Sequence, residues 1–99
     1  MKTALITGAS RGIGLETSKA LAHAGSVFGR LVLVARPSPT FNKVVEDVRA
    51  ENAGSDVIAI EADLSDPTSV TRIYDALSKA DVKIDVIINN AGYTKPAKI

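Results

Sequence analysis

Positions 7–14 read TGASRGIG, three glycines spaced G-x-x-x-G-x-G. They stand between a short apolar run, TALIT at 3–7, and the start of a helical pattern. That setting suits a phosphate. The first turn of a helix carries unpaired N–H groups and a partial positive charge, which favour an anion. Gly8 lets the chain turn sharply off the strand. Gly12 removes a Cβ where a diphosphate would meet the backbone, and Gly14 removes one where the helix would lie against the sheet. The spacing differs from the G-x-G-x-x-G dinucleotide fingerprint. Taken alone, it is equally compatible with a glycine-rich turn that binds nothing.

Other residues with chemistry fall at corresponding places. Arg36 follows the apolar run RLVLVA, Asp63 stands in ADLSD at 62–66, and NNAG occupies 89–92. An arginine grips phosphate bidentately. An aspartate or asparagine in such a loop also has a plain structural use, hydrogen-bonding neighbouring backbone. His23 is the sole histidine and lies off the apolar face of its helical pattern, so it reads as a surface residue. No group of His, Asp and Glu has metal-ligand spacing.

The elements that must position these residues alternate. TALIT reads as a buried strand. Ile13, Thr17, Ala20, Leu21 and Ala24 then line one helical face, with Gly25 where a left-handed cap would sit. RLVLVAR (30–36) is apolar on both faces, as a strand covered on both sides should be. Pro37 and Pro39 break the chain. A second helix presents Phe41, Val44, Val45 and Val48 and ends near Gly54. DVIAIEA (56–62) is a third strand. A third helix opens with Asp66 as N-cap and Pro67 as its first residue, and Val70, Ile73, Tyr74 and Leu77 form its expected buried face. IDVIINN (84–90) is a fourth strand, and 91–99 lacks periodicity. GSVFGR (25–30) is expected to be a loop. The order β-α-β-α-β-α-β predicts an α/β fold, a parallel sheet with helices on both faces.

Composition narrows the function classes. The 99 residues allow one domain, 1–99. A net charge of +1 offers no electrostatic case for nucleic acid or a membrane surface. No apolar run approaches the length needed to span a bilayer. Only Met1 and Lys2 precede the first strand pattern, which leaves no room for a targeting peptide, and the absence of cysteine fits a reducing compartment. The expectation is a cytoplasmic protein.

At this point the sequence resembles the short-chain dehydrogenase/reductase family. TGASRGIG matches that family's T-G-x-x-x-G-x-G cofactor loop, ADLSD follows the third strand, and NNAG ends the fourth. The resemblance runs over essentially the whole chain, with each motif at the correct strand end. The connection 25–30 is a few residues longer than the family's usual one. The resemblance implies a Rossmann-type doubly wound parallel sheet with strand order 3-2-1-4, incomplete within these residues. It implies a nicotinamide dinucleotide as cofactor and a small carbonyl or alcohol as substrate, in a homo-oligomer. Gly8, Ser10, Arg11, Gly12, Ile13 and Gly14 should surround the diphosphate and its ribose. Asp63 and Leu64 should meet the adenine, and Asn90, Ala91 and Gly92 the ribose next to the nicotinamide. Arg36 ends the second strand, where the adenine ribose should lie. An acidic residue there would favour NAD by accepting from the 2′-hydroxyl. Arg36, with Arg11 in the glycine loop, points to NADP, with NAD as the alternative.

The family's usual catalytic group contains a serine and a Tyr-x-x-x-Lys pair. Four residues after Tyr74 stands Ser78, and four after Tyr93 stands Ala97. Neither fits. The expectation is therefore the cofactor half of a reductase, a fragment inactive by itself. A non-catalytic dinucleotide-binding module or relic is the alternative.

Overall fold

A computed structural model describes residues 2–9, 12–22, 28–51, 56–63 and 65–89, with the side chains of 12–15 left aside. The elements are β1 (Lys2–Thr7), α1 (Gly12–Ala22), β2 (Phe28–Ala35), α2 (Pro39–Glu51), β3 (Asp56–Glu61), α3 (Pro67–Lys79) and β4 (Val86–Asn89). All pairings are parallel, and the sheet order is β3-β2-β1-β4. This is the incomplete Rossmann-type α/β sheet that the alternation and the family resemblance imply.

The central strands β1 and β2 are apolar on both faces because both faces are covered. Successive side chains alternate between faces. Ala4 and Ile6 of β1, Leu31 and Leu33 of β2, and Val57 of β3 pack with Phe41, Val44, Val45 and Val48 of α2. Leu5, Val32 and Val34 pack on the opposite side with Leu77, and Ile58, Ile60 and Ile73 flank them. The four residues expected to form the stripe of α2 are all buried. Its start is set by Ser38, whose Oγ accepts a hydrogen bond from the Phe41 N–H at 3.0 Å.

Three expectations need correction. Among the α1 residues whose side chains are described, Ser18 and Ala22 are buried and Leu21 half-buried, whereas Ala20 is exposed. An alanine pattern does not say which alanine faces the sheet, and small residues at i and i+4 allow close approach there. Residues 23–27, with Ala24 and Gly25, lie outside the described residues. In α3 the line against the sheet runs through Ser69, Ile73 and Leu77. Val70 is 50% exposed and Tyr74 76%. The apolar stripe of α3 is wider than the strip that contacts the sheet, so its flank stays open. Finally, β2 begins at Phe28, inside the expected loop. Lys2 pairs with Phe28 and Thr3 with Arg30, so Gly29 is an extra residue bulged out of the ladder.

Candidate functional site

The carboxyl ends of all four strands lie along one edge of the sheet. The last pairs are Thr7 with Val34, Ala35 with Glu61, and Thr7 with Asn89. Going along that edge, the segments leaving β3, β2, β1 and β4 carry Asp63, Arg36, Gly8 and Asn89 in turn. The chain winds outward from β1 to β3 and then returns to β1's other side as β4, so the order switches between β1 and β4. Ligands of open parallel sheets bind beyond the strand ends at such a switch.

Gly8 adopts φ 62°, the left-handed region that a residue without Cβ enters at no cost. The sharp turn off β1 is therefore real. Ala9, just after it, is fully buried, and its N–H donates to the Val34 carbonyl at 3.3 Å. That bond ties the turn to β2. Helix α1 then starts at Gly12, and the first N–H groups of a helix have no partner within it. Across the switch point, Thr7 Oγ1 donates to Asn89 Oδ1 at 2.8 Å. Thr7 and Asn89 are register partners, so this bond holds β1 and β4 together where the crevice opens. Composition gave no sign of it, though a threonine and an asparagine ending neighbouring strands are a pattern that could have suggested it.

Arg36 is exposed, one residue past β2. Ala62 N–H donates to the Ala35 carbonyl at 2.9 Å, which closes the Ala35–Glu61 pair; Arg36 stands one residue past the end of β2 and Asp63 two past the end of β3. Asp63 Oδ1 accepts from both the hydroxyl of Ser65, at 2.7 Å, and its N–H, at 3.0 Å. The Ser65 hydroxyl, then its N–H, and further the charge of Arg36, hold the Asp63 carboxyl below the usual aspartate value against a small opposing effect of burial. Ser65 was not singled out in the sequence, although Asp-x-Ser is a recognisable turn signal. Ser10, Arg11, Leu64, Asn90, Ala91 and Gly92 lie outside the described residues, as do the side chains of Gly12, Ile13 and Gly14.

A groove of about 370 Å³ runs between α2 and edge strand β3, lined by residues such as Phe41, Val45, Arg49 and Glu61. None of Gly8, Arg36, Asp63 or Asn89 lines it.

A family model described as short chain dehydrogenase matches residues 2–99. The chain belongs to the short-chain dehydrogenase family. A family relative, the NADP-dependent 3-hydroxy acid dehydrogenase of Schizosaccharomyces pombe, is 38% identical over 92% of this chain and 34% of its own. Among solved short-chain dehydrogenase structures, one from Sphingobium yanoikuyae in complex with NADPH superposes with a TM-score of 0.78 at 35% identity, over 100% of this chain and 37% of that one. An NAD+-bound xylitol dehydrogenase superposes with a TM-score of 0.79 at 30% identity, over 93% and 34%. The chain thus spans about a third of the length of the curated relatives it matches.

Proposed function

We propose that residues 1–99 are a single domain, the cofactor-binding part of an NADP(H)-dependent oxidoreductase that moves hydride between a nicotinamide and a carbonyl or alcohol. The fit to a dinucleotide rests on Gly8, whose positive φ turns the chain beneath a helix N-terminus at the switch point. Gly8, Ser10, Arg11, Gly12, Ile13 and Gly14 hold the diphosphate and adjoining ribose. Asp63 and Leu64 receive the adenine. Asn90, Ala91 and Gly92 face the nicotinamide ribose. When bound, the nicotinamide supplies or accepts the hydride. These residues bind and orient; the serine, tyrosine and lysine of the family's proton chemistry come from elsewhere in a longer, cytoplasmic, homo-oligomeric protein, and residues 1–99 alone are inactive.

The observation that carries NADP over NAD is Arg36, exposed at the end of β2 where an acid would favour NAD. The two cofactors differ only in the 2′-phosphate. A hydrogen bond to a charged group contributes about 1.5–3 kcal/mol. Loss of Arg36 therefore weakens NADP roughly ten- to a hundredfold. Arg36→Asp adds repulsion against the phosphate and offers an acceptor to the NAD hydroxyl, with Arg11 blunting the reversal. Titrating both cofactors into the intact protein and the variant at matched ionic strength tests this. A ratio of affinities left within about twofold would remove the support for NADP.

A further inference from the structure

Among the described strands, β3 closes one side of the sheet and pairs only with β2. Along a strand, successive residues turn their N–H and C=O groups to opposite sides. Ala62 N–H reaches the Ala35 carbonyl on β2, so Val57, Ala59 and Glu61 turn their main-chain groups outward. One of these groups is taken. Arg49 of α2 donates through Nη2 to the Val57 carbonyl at 3.0 Å. The outward groups of Ala59 and Glu61 have no main-chain partner among the described residues. Their side chains line the groove under α2 together with Arg49. The groove therefore has a cation near the start of β3 and an acid, Glu61, at its end. Neither takes part in an ion pair among the described residues.

We infer that the free edge of β3 is an interface for a second copy of this chain, paired antiparallel about a two-fold axis at Ala59. That register sets all three outward residues against one another, Ala59 against its own counterpart and Val57 against Glu61 of the second copy. Residues directly opposite on antiparallel strands share a face, with Cβ atoms about 4.5–5.5 Å apart. Glu61 of the second copy thus stands beside Val57 on the α2 face, where Arg49 reaches the edge. Its N–H replaces Arg49 on the Val57 carbonyl, and its carboxylate receives the released guanidinium in a charge-assisted bond. The exchange happens twice, as a two-fold contact requires, because each copy carries both the acid and the cation. On the other face Ile58 meets Ile60 of the second copy, and both are only half-buried in the single chain. No like charges fall opposite each other, since Asp56 faces Ala62. A strand without an acid at that place leaves Arg49 on the carbonyl, which guards the edge against indiscriminate pairing.

Residues 1–99 contain no cysteine, so Ala59→Cys puts a probe on the axis. Opposite residues of a hydrogen-bonded antiparallel pair lie about 5.5 Å apart at Cα, within reach of a disulfide. The intact protein carrying Ala59→Cys, mildly oxidised at low ionic strength, should form a covalent dimer linked between the two copies of position 59, as located by peptide mass spectrometry. In that background Arg49→Glu or Glu61→Arg should slow the linkage about two- to thirtyfold, the loss of two surface charge pairs together. Combining the two changes should restore it, because the swapped charges again attract across the interface. No linkage at position 59, or linkage to another position instead, overturns the inference. So does linkage that neither single change slows, or that the combined change leaves slow. None of these residues lies in the proposed cofactor site, so unchanged NADP+ binding and circular dichroism show that each variant folds. A failed interface then leaves the cofactor reading untouched. Should Arg49→Glu misfold, Glu61→Gln decides, since it removes the charge at nearly constant shape: it should slow the linkage, and an unaltered rate overturns the interface.

Discussion

Asp63 takes two hydrogen bonds from one serine on one oxygen. The hydroxyl of Ser65 is the largest reason its carboxyl lies below the ordinary aspartate value. Ser65→Ala should therefore raise the Asp63 pKa while leaving it somewhat depressed, because the Ser65 N–H still donates. A carboxyl-carbon NMR titration reads this directly, and an unshifted midpoint would mean that the hydroxyl bond is not formed in solution. The sign for stability follows. A carboxyl with a depressed folded pKa contributes stability above the unfolded value, about 3.9 for aspartate, and loses it as pH falls through the folded value. Wild type should lose this contribution in acid, and Ser65→Ala should lose less because it has less to lose. That Asp63 stands in a loop at a strand end was legible from ADLSD. That Ser65 governs it was not, because an aspartate two residues before a serine can turn in several ways and only the folded loop selects one.

Helix α3 shows how much of an element local chemistry decides. Asp66 caps it as the sequence predicts, with extended backbone and Oδ1 accepting from Thr68 N–H at 3.0 Å, and Pro67 follows at the first helical position. Asp66→Ala should lower stability by about 1 kcal/mol. The other end went unread. Val82 N–H donates to the Leu77 carbonyl and Asp81 N–H to Ser78, with Asp81 left-handed at φ 56° and Val82 and Leu77 in one apolar cluster. This is a Schellman cap with aspartate where glycine is favoured. The aspartate sits in a conformation that glycine adopts more readily, and its charge faces the negative end of the helix. Asp81→Gly should raise stability by roughly 0.5–1 kcal/mol, and Asp81→Val, being β-branched, should lower it. Denaturant midpoints of the three proteins test both signs, and a lower midpoint for Asp81→Gly would show that unfolded-state entropy outweighs the relief of strain. Without a glycine, this stop carried no sequence signal.

For the molecule as a whole, the two sides of the sheet are unequally covered. Two helices lie against the side of Ala4, Ile6, Leu31 and Leu33. On the other side α3 alone, among the described residues, covers Leu5, Val32 and Val34. Ile87, which pairs with Leu5 and so shares that side, remains 66% exposed, and on α3 Val70 and Tyr74 are exposed as well. An apolar edge strand and an apolar helix flank invite association. Purified alone, residues 1–99 should self-associate, and the double change Tyr74→Lys with Ile87→Lys should shift sedimentation toward the monomer. A monomeric wild-type chain would show that this surface is less adhesive than its exposure implies. The sequence by itself determined the alternation of strands and helices, the stripe of α2, the Asp66 cap, the turn at Gly8 and the family, because each is written in residues close together along the chain. Tertiary structure alone decided that Ser18 and Ser69 are buried while Ala20 and Tyr74 are not, that Gly29 bulges, and that Thr7 bonds Asn89 across the switch point. Burial and long-range hydrogen bonds depend on which distant strand or helix arrives alongside, and periodicity within one element carries no record of its neighbours.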